Sequence, residues 1–64
     1  LSAIKEIVSQ SSLVLKKRGV LIIEHGYNQK TQVENIFKEN HFSNIENIID
    51  FSSIPRITIG TLRV

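Results

Sequence analysis

The run Glu24-His25-Gly26-Tyr27-Asn28-Gln29 places a carboxylate and an imidazole side by side, directly after the apolar stretch Val20-Leu21-Ile22-Ile23. Ligands of open α/β sheets bind outside the carboxyl ends of the strands. Glu24 and His25 at such an end are in reach of a pocket. The structural alternative is that Glu24 accepts backbone N–H groups of its own loop and His25 is a packed, hydrogen-bonded side chain; functional sites are few per protein. A second constellation is Asp50 with Arg56, followed by Ile57-Thr58-Ile59-Gly60. These two charges flank a turn and form a clamp, an exposed pair of the kind worth under roughly 1 kcal/mol.

Other chemistries lack their residues. There is no cysteine, so no disulfide and no thiolate metal site. His25 and His41 stand far apart, which argues against zinc. The glycines Gly19, Gly26 and Gly60 are too widely spaced for a phosphate-cradling loop. No serine sits in a nucleophile elbow. The aromatics Tyr27, Phe37, Phe42 and Phe51 do not interleave with basic residues as single-strand nucleic-acid binding requires. A formal net charge of +2 does not by itself indicate a nucleic-acid partner. The longest basic run, Lys16-Lys17-Arg18, reads as compensation of a helix dipole. No apolar run nears the roughly 20 residues of a membrane span. No signal peptide is legible, and the lack of cysteine fits a cytoplasmic protein.

The elements that would position these residues follow from periodicity. Leu1, Ile4, Ile7, Val8 and Leu15 recur near helical spacing, with Lys16-Lys17-Arg18 in the last turn and Gly19 as a left-handed cap. Val20 to Ile23 is continuously apolar, the mark of a strand covered on both faces, as in parallel sheets. Gly26 allows the turn that ends it. Thr31-Gln32-Val33-Glu34 has the form of a capping box for a second helix, with Asn28 as an alternative cap. Val33, Ile36 and Phe37 make that helix's apolar stripe. Asn40-His41 ends it, and Phe42 packs back beneath it. Ile45 to Phe51 is a second strand. Pro55 cannot donate to a ladder, so the last strand follows it. The order is helix, strand, helix, strand, strand. A right-handed parallel crossover joins the first two strands, and the short last connection favours an antiparallel pair.

The string Leu21-Ile22-Ile23-Glu24-His25-Gly26-Tyr27-Asn28-Gln29 resembles the "LLLEHG-aromatic-x-Q" stretch of the HemK/PrmC release-factor glutamine methyltransferases. Leu15-Lys16-Lys17-Arg18-Gly19 is similar to that family's "L-K-x-G-G" lead-in, with Arg18 where a glycine is common. Asp50 and Arg56 followed by Ile57-Thr58-Ile59-Gly60 are similar to its closing "D…R-V-T-L-G" strand. Three pieces in order cover nearly the whole chain. The resemblance implies the C-terminal part of a class I, Rossmann-like α/β fold with S-adenosylmethionine as cofactor. The three strands would be the fifth, sixth and seventh, the last antiparallel and inserted between the other two.

The implied reaction methylates the side-chain amide of the glutamine in the Gly-Gly-Gln loop of peptide chain release factors. An amide nitrogen is a poor nucleophile. It must be held in line with the methyl group, and charge developing on the amide must be stabilised. The family's Asn-Pro-Pro-Tyr motif and Gly-rich cofactor loop are absent here; the single proline is Pro55. No catalytic or cofactor-binding residue carries over. Glu24, His25 and Gln29 match family positions beside the sheet edge and are expected to support the pocket. Gly19, Gly26, Asp50 and Arg56 are expected to be structural.

A chain of 64 residues builds only a marginal core. With Leu1 rather than methionine at its start, residues 1–64 are expected to be one segment of a methyltransferase domain, inactive alone and in contact with the rest of that domain. Two alternatives differ in class: a small non-catalytic interaction module, and the same segment of a nucleic-acid methyltransferase. The strand Val20 to Ile23, which wants cover on both faces, speaks against the first.

Overall fold

A computed structural model describes residues 1–49 and 55–64. The elements are α1 (Ser2–Val14), β1 (Val20–Glu24), a 3-10 turn (Tyr27–Gln29), α2 (Lys30–Glu39), β2 (Phe42–Ile49) and β3 (Pro55–Leu62). The sheet order is β1-β3-β2, and β3 is antiparallel to both neighbours. β1 and β2 therefore run in the same direction with the closing strand between them, as the resemblance implies. The described part of the expected clamp is Arg56; Asp50 lies outside the described residues.

One side of the sheet is covered. Val8 of α1, Val33, Ile36 and Phe37 of α2, Phe42 of β2 and Leu62 of β3 form the core, with Ile4, Leu15, Leu21, Ile23 and Ile45 packed around it. The α2 stripe read from the sequence is thus the buried one. Phe42 does pack beneath α2, its ring 5.3 Å from that of Phe37. β2 begins at Phe42 rather than Ile45, because a bulge between Ser43 and Glu46 lets the strand run on past an irregular pairing. Asn44 takes a positive φ of 50° there. The bulge lies opposite Gly60, where the ring of Phe37 rests against bare backbone: a Cβ built on Gly60 would sit 2.4 Å from Phe37 Cδ2.

The expectation that β1 is covered on both faces fails for this chain. Alternate residues face opposite sides. Leu21 and Ile23 are half-buried against the helices, whereas Val20 and Ile22 remain 53% and 59% exposed. Ile22 pairs with Ile59, and Ile57 with Ile48, so apolar side chains run across the uncovered face of all three strands, with Glu24 and Glu46 beside them.

Three local expectations are also corrected. α1 stops at Val14, not Arg18, and has no basic residue in its last turn. Leu15 leaves the helix in an extended conformation and packs on the core instead. Lys16-Lys17-Arg18 consequently lies in the connection, where Arg18 N–H donates to Leu62 O at 2.9 Å. Arg18, not Gly19, is the left-handed residue, with φ 73°. Neither Gly19 nor Gly26 has a positive φ. Gly19 is needed for close approach, since an added Cβ would lie 2.9 Å from the Lys16 carbonyl oxygen. Finally, Thr31 and Asn28 do not cap α2. The turn before it is closed by Gly26 and Gln29: Gly26 N–H donates to Gln29 Oε1 at 2.9 Å, and Gln29 N–H donates to Gly26 O at 3.0 Å. The glutamine amide reaches back one turn earlier than the glutamate could, so the helical path starts sooner.

Candidate functional site

The carboxyl ends of β1 and β2 lie at the same end of the sheet, and the loop Glu24 to Gln29 leaves β1 there. His25 continues the alternation of β1 onto the helix-covered side. Its backbone N–H donates to Arg56 O at 2.9 Å, which extends the β1–β3 ladder by one residue. The side chain is buried, 8% exposed. Its Nδ1 lies 2.9 Å from Gly26 O, and its Nε2 lies 2.7 Å from Thr58 Oγ1.

Thr58 is fully buried in the middle of β3. Its hydroxyl is also 3.0 Å from Asn47 Oδ1 on β2, the residue directly across the ladder. The Asn47 amide then donates through Nδ2 to Glu34 Oε2 of α2. Glu34 lies 4.0 Å from Lys30 Nζ one turn back. A continuous polar line therefore runs from α2 through β2 and β3 to the loop after β1. The orientation of Asn47 is fixed by it, since only the amide nitrogen can donate to a carboxylate. The donor on the His25 ring facing Gly26 O must be Nδ1–H, because a carbonyl only accepts. The Thr58 hydroxyl donates to Asn47 Oδ1, which as an amide oxygen can only accept, and His25 Nε2 meets the same hydroxyl oxygen.

Buried polar groups cost free energy unless they are hydrogen-bonded. Here the line satisfies them: no buried side-chain polar atom among the described residues lacks a partner. An apolar set in the same place would avoid the desolvation cost, so this line serves definition of geometry better than stability.

The sequence-predicted residues divide. His25 lies in this line. Gln29 joins it indirectly by holding Gly26 N–H. Glu24 does not: it faces the opposite side of the sheet, exposed, with Ile57 as its cross-strand partner. Glu24 and His25 are neighbours in sequence but are not brought together. Gly19 sits at the far end of β1. Arg56 is exposed at the start of β3 beside the loop. Thr58, Asn47 and Glu34 were not expected at the site; Glu34 was expected to close a capping box with Thr31 and instead meets Asn47. Thr58 was legible as a polar residue at an inward position between Ile57 and Ile59, and Asn47 as a break in the alternation of its strand. Among the described residues no group of three acidic, histidine or cysteine side chains gathers to hold a metal, and no enclosed cavity forms.

Comparison with known proteins gives a consistent result. The chain is 39% identical over 57 residues to a release factor glutamine methyltransferase of Haemophilus influenzae, covering 89% of this chain and 20% of that protein. It is 38% identical over 60 residues to the one from Pasteurella multocida, covering 94% of this chain and 20% of that protein. It is 42% identical over 60 residues to the one from Buchnera aphidicola of Acyrthosiphon pisum, covering 94% and 22%. The chain thus spans about a fifth of the length of the curated relatives it matches. No protein-family model matches it, and no solved structure does.

Proposed function

We propose, from the premise that the chain belongs as a segment to the release factor glutamine methyltransferase family, that it supplies the closing strands and one flank of the substrate pocket of such an enzyme. The whole protein then transfers a methyl group from S-adenosylmethionine to the glutamine amide of the Gly-Gly-Gln motif of peptide chain release factors, in the cytoplasm where those factors act. The single observation that carries this reading is the identity shared with these methyltransferases along nearly all of the chain, in step with the strand order β1-β3-β2.

The uncovered apolar face supports the segment reading. Val20, Ile22 and Ile48 are 53%, 59% and 47% exposed, a patch that a finished domain would bury against further structure. The outer edge of β1 offers a ladder position for another strand.

The cofactor does not fit the residues present. Each of the three glycines is engaged locally: Gly19 under the Lys16 carbonyl, Gly26 in the loop turn, Gly60 beneath Phe37. None is left to approach a ligand, so no step through S-adenosylmethionine is assigned to this segment. Its contribution is the loop Glu24 to Gln29 and the packing that holds it.

The test is to incubate the full-length protein with S-adenosylmethionine and a release factor and to map added mass by peptide sequencing. One methyl group on the Gly-Gly-Gln glutamine is expected. No transfer to release factor, or transfer to a nucleic acid instead, would refute the reading.

A further inference from the structure

We propose that the Glu34–Asn47–Thr58–His25 line, with Gln29, is a positioning device that fixes the Glu24–Gln29 loop against the release factor substrate rather than against the cofactor. The inference rests on the function proposed above and goes beyond it by giving these residues a role.

Four side chains from four elements form one line that ends on the loop. Thr58 is fully buried at the centre of β3, Asn47 faces it from β2, Glu34 reaches in from α2, and His25 begins the loop. The line ends on the loop backbone, where the His25 ring meets Gly26 O at 2.9 Å. From the other side Gln29 takes Gly26 N–H at 2.9 Å. Both polar groups of one glycine are thus tied to side chains, and that glycine lies at the carboxyl ends of β1 and β2, where sheets of this class bind ligands. A small fold with a marginal core gains little stability from threonine, asparagine and histidine in its interior. Such a network does define a single loop geometry.

The substrate side follows from chemistry on this chain. The loop's exposed side chains include the Glu24 carboxylate and the Asn28 amide, and the chain has no glycine-rich loop to cradle a nucleotide-like cofactor. A peptide substrate's N–H and amide groups are recognised by carboxylate and amide side chains of this kind. Loss of one or two hydrogen bonds that hold the loop is expected to weaken substrate capture about tenfold.

The experiment uses the full-length enzyme. Thr58→Val removes the hydroxyl that joins His25 to Asn47 while keeping the branched shape. Thr58→Ser keeps the hydroxyl. Gln29→Met frees the half-buried Gly26 N–H. Two readouts are taken: steady-state kinetics with release factor and with S-adenosylmethionine varied in turn, and amide hydrogen exchange at residues 26–29. Thr58→Val and Gln29→Met are expected to raise KM for release factor about tenfold, leave kcat within about twofold, and leave KM for S-adenosylmethionine unchanged. Exchange in the loop should quicken about tenfold, and Thr58→Ser should restore both. Unchanged KM for release factor, a fall in kcat alone, or a shift confined to the cofactor's KM would each overturn the proposal. Absence of release factor methylation by the wild-type enzyme would instead sink the functional reading, and the exchange data would still report whether the line holds the loop.

Discussion

Gly60→Ala adds one methyl group to the most crowded point of the fold. The new Cβ would lie 2.4 Å from Phe37 Cδ2, 2.9 Å from Phe37 Cε2 and 3.2 Å from Phe42 Cβ. Non-bonded carbons prefer separations of about 3.5–4.0 Å, so the closest contact is short by about 1 Å. Phe37 cannot swing clear, because it is wholly buried and its ring meets that of Phe42 at 5.3 Å. Overpacking of this kind costs about 1–3 kcal/mol. Replacing glycine also stiffens the unfolded chain, which returns about 0.4–1 kcal/mol where the native geometry tolerates it. The net expectation is a loss of about 1–2 kcal/mol. Urea unfolding of Gly60→Ala, Phe37→Leu and the double variant in the full-length protein measures it. Phe37→Leu removes the obstructing ring edge, so the alanine should cost less in that background, with a coupling of at least about 0.5 kcal/mol. A neutral Gly60→Ala, or costs that simply add, would refute the claim that Gly60 exists to seat Phe37.

Two other substitutions probe backbone geometry. Arg18→Gly should stabilise by about 0.5–1 kcal/mol, because relief of a left-handed residue, worth about 1–2 kcal/mol, exceeds the extra entropy of glycine, about 0.5–1 kcal/mol; a lower unfolding midpoint would show that the arginine side chain matters more than its φ of 73°. Gly19→Ala should destabilise more than Gly26→Ala, since the first methyl meets a backbone oxygen at 2.9 Å and the second meets the flexible ends of Asn28 and Gln29 at 3.3 and 3.4 Å. Thermal unfolding of both variants tests the ranking, and the reverse order would contradict it.

Much of the fold was legible because apolar periodicity and local stop signals agree here. Val33, Ile36 and Phe37 read as one helical stripe and are buried as one. The antiparallel return of β3 followed from the short connection. What escaped the sequence depended on contacts between distant residues. The early end of α1 reflects Leu15 reaching for the core, which no local rule encodes. The 3-10 turn before α2 forms where Gln29 takes Gly26 N–H, whereas Glu34, expected to close the capping box with Thr31, is drawn away to Asn47 on another strand. At the candidate site, the loop after β1 stood out by residue type, whereas Thr58 and Asn47 acquire meaning only through the pairing that sets them opposite each other. The expectation of a strand covered on both faces read the composition of β1 correctly but assigned to this chain a cover that the chain does not contain.

The strand order has a kinetic consequence. Every ladder in this sheet has β3 on one side, and β3 is the last of the three strands in the chain. During synthesis β1 and β2 leave the ribosome before the strand that pairs with both of them. Their apolar residues stay open to off-pathway contacts until Pro55–Leu62 emerges and zips both ladders together. Non-local pairing of this type is slow and exposes unpaired edges meanwhile. A chain interrupted between residues 49 and 55 would lack the strand that joins β1 to β2, so quality control by chaperones and proteases would hinge on the eight residues of β3.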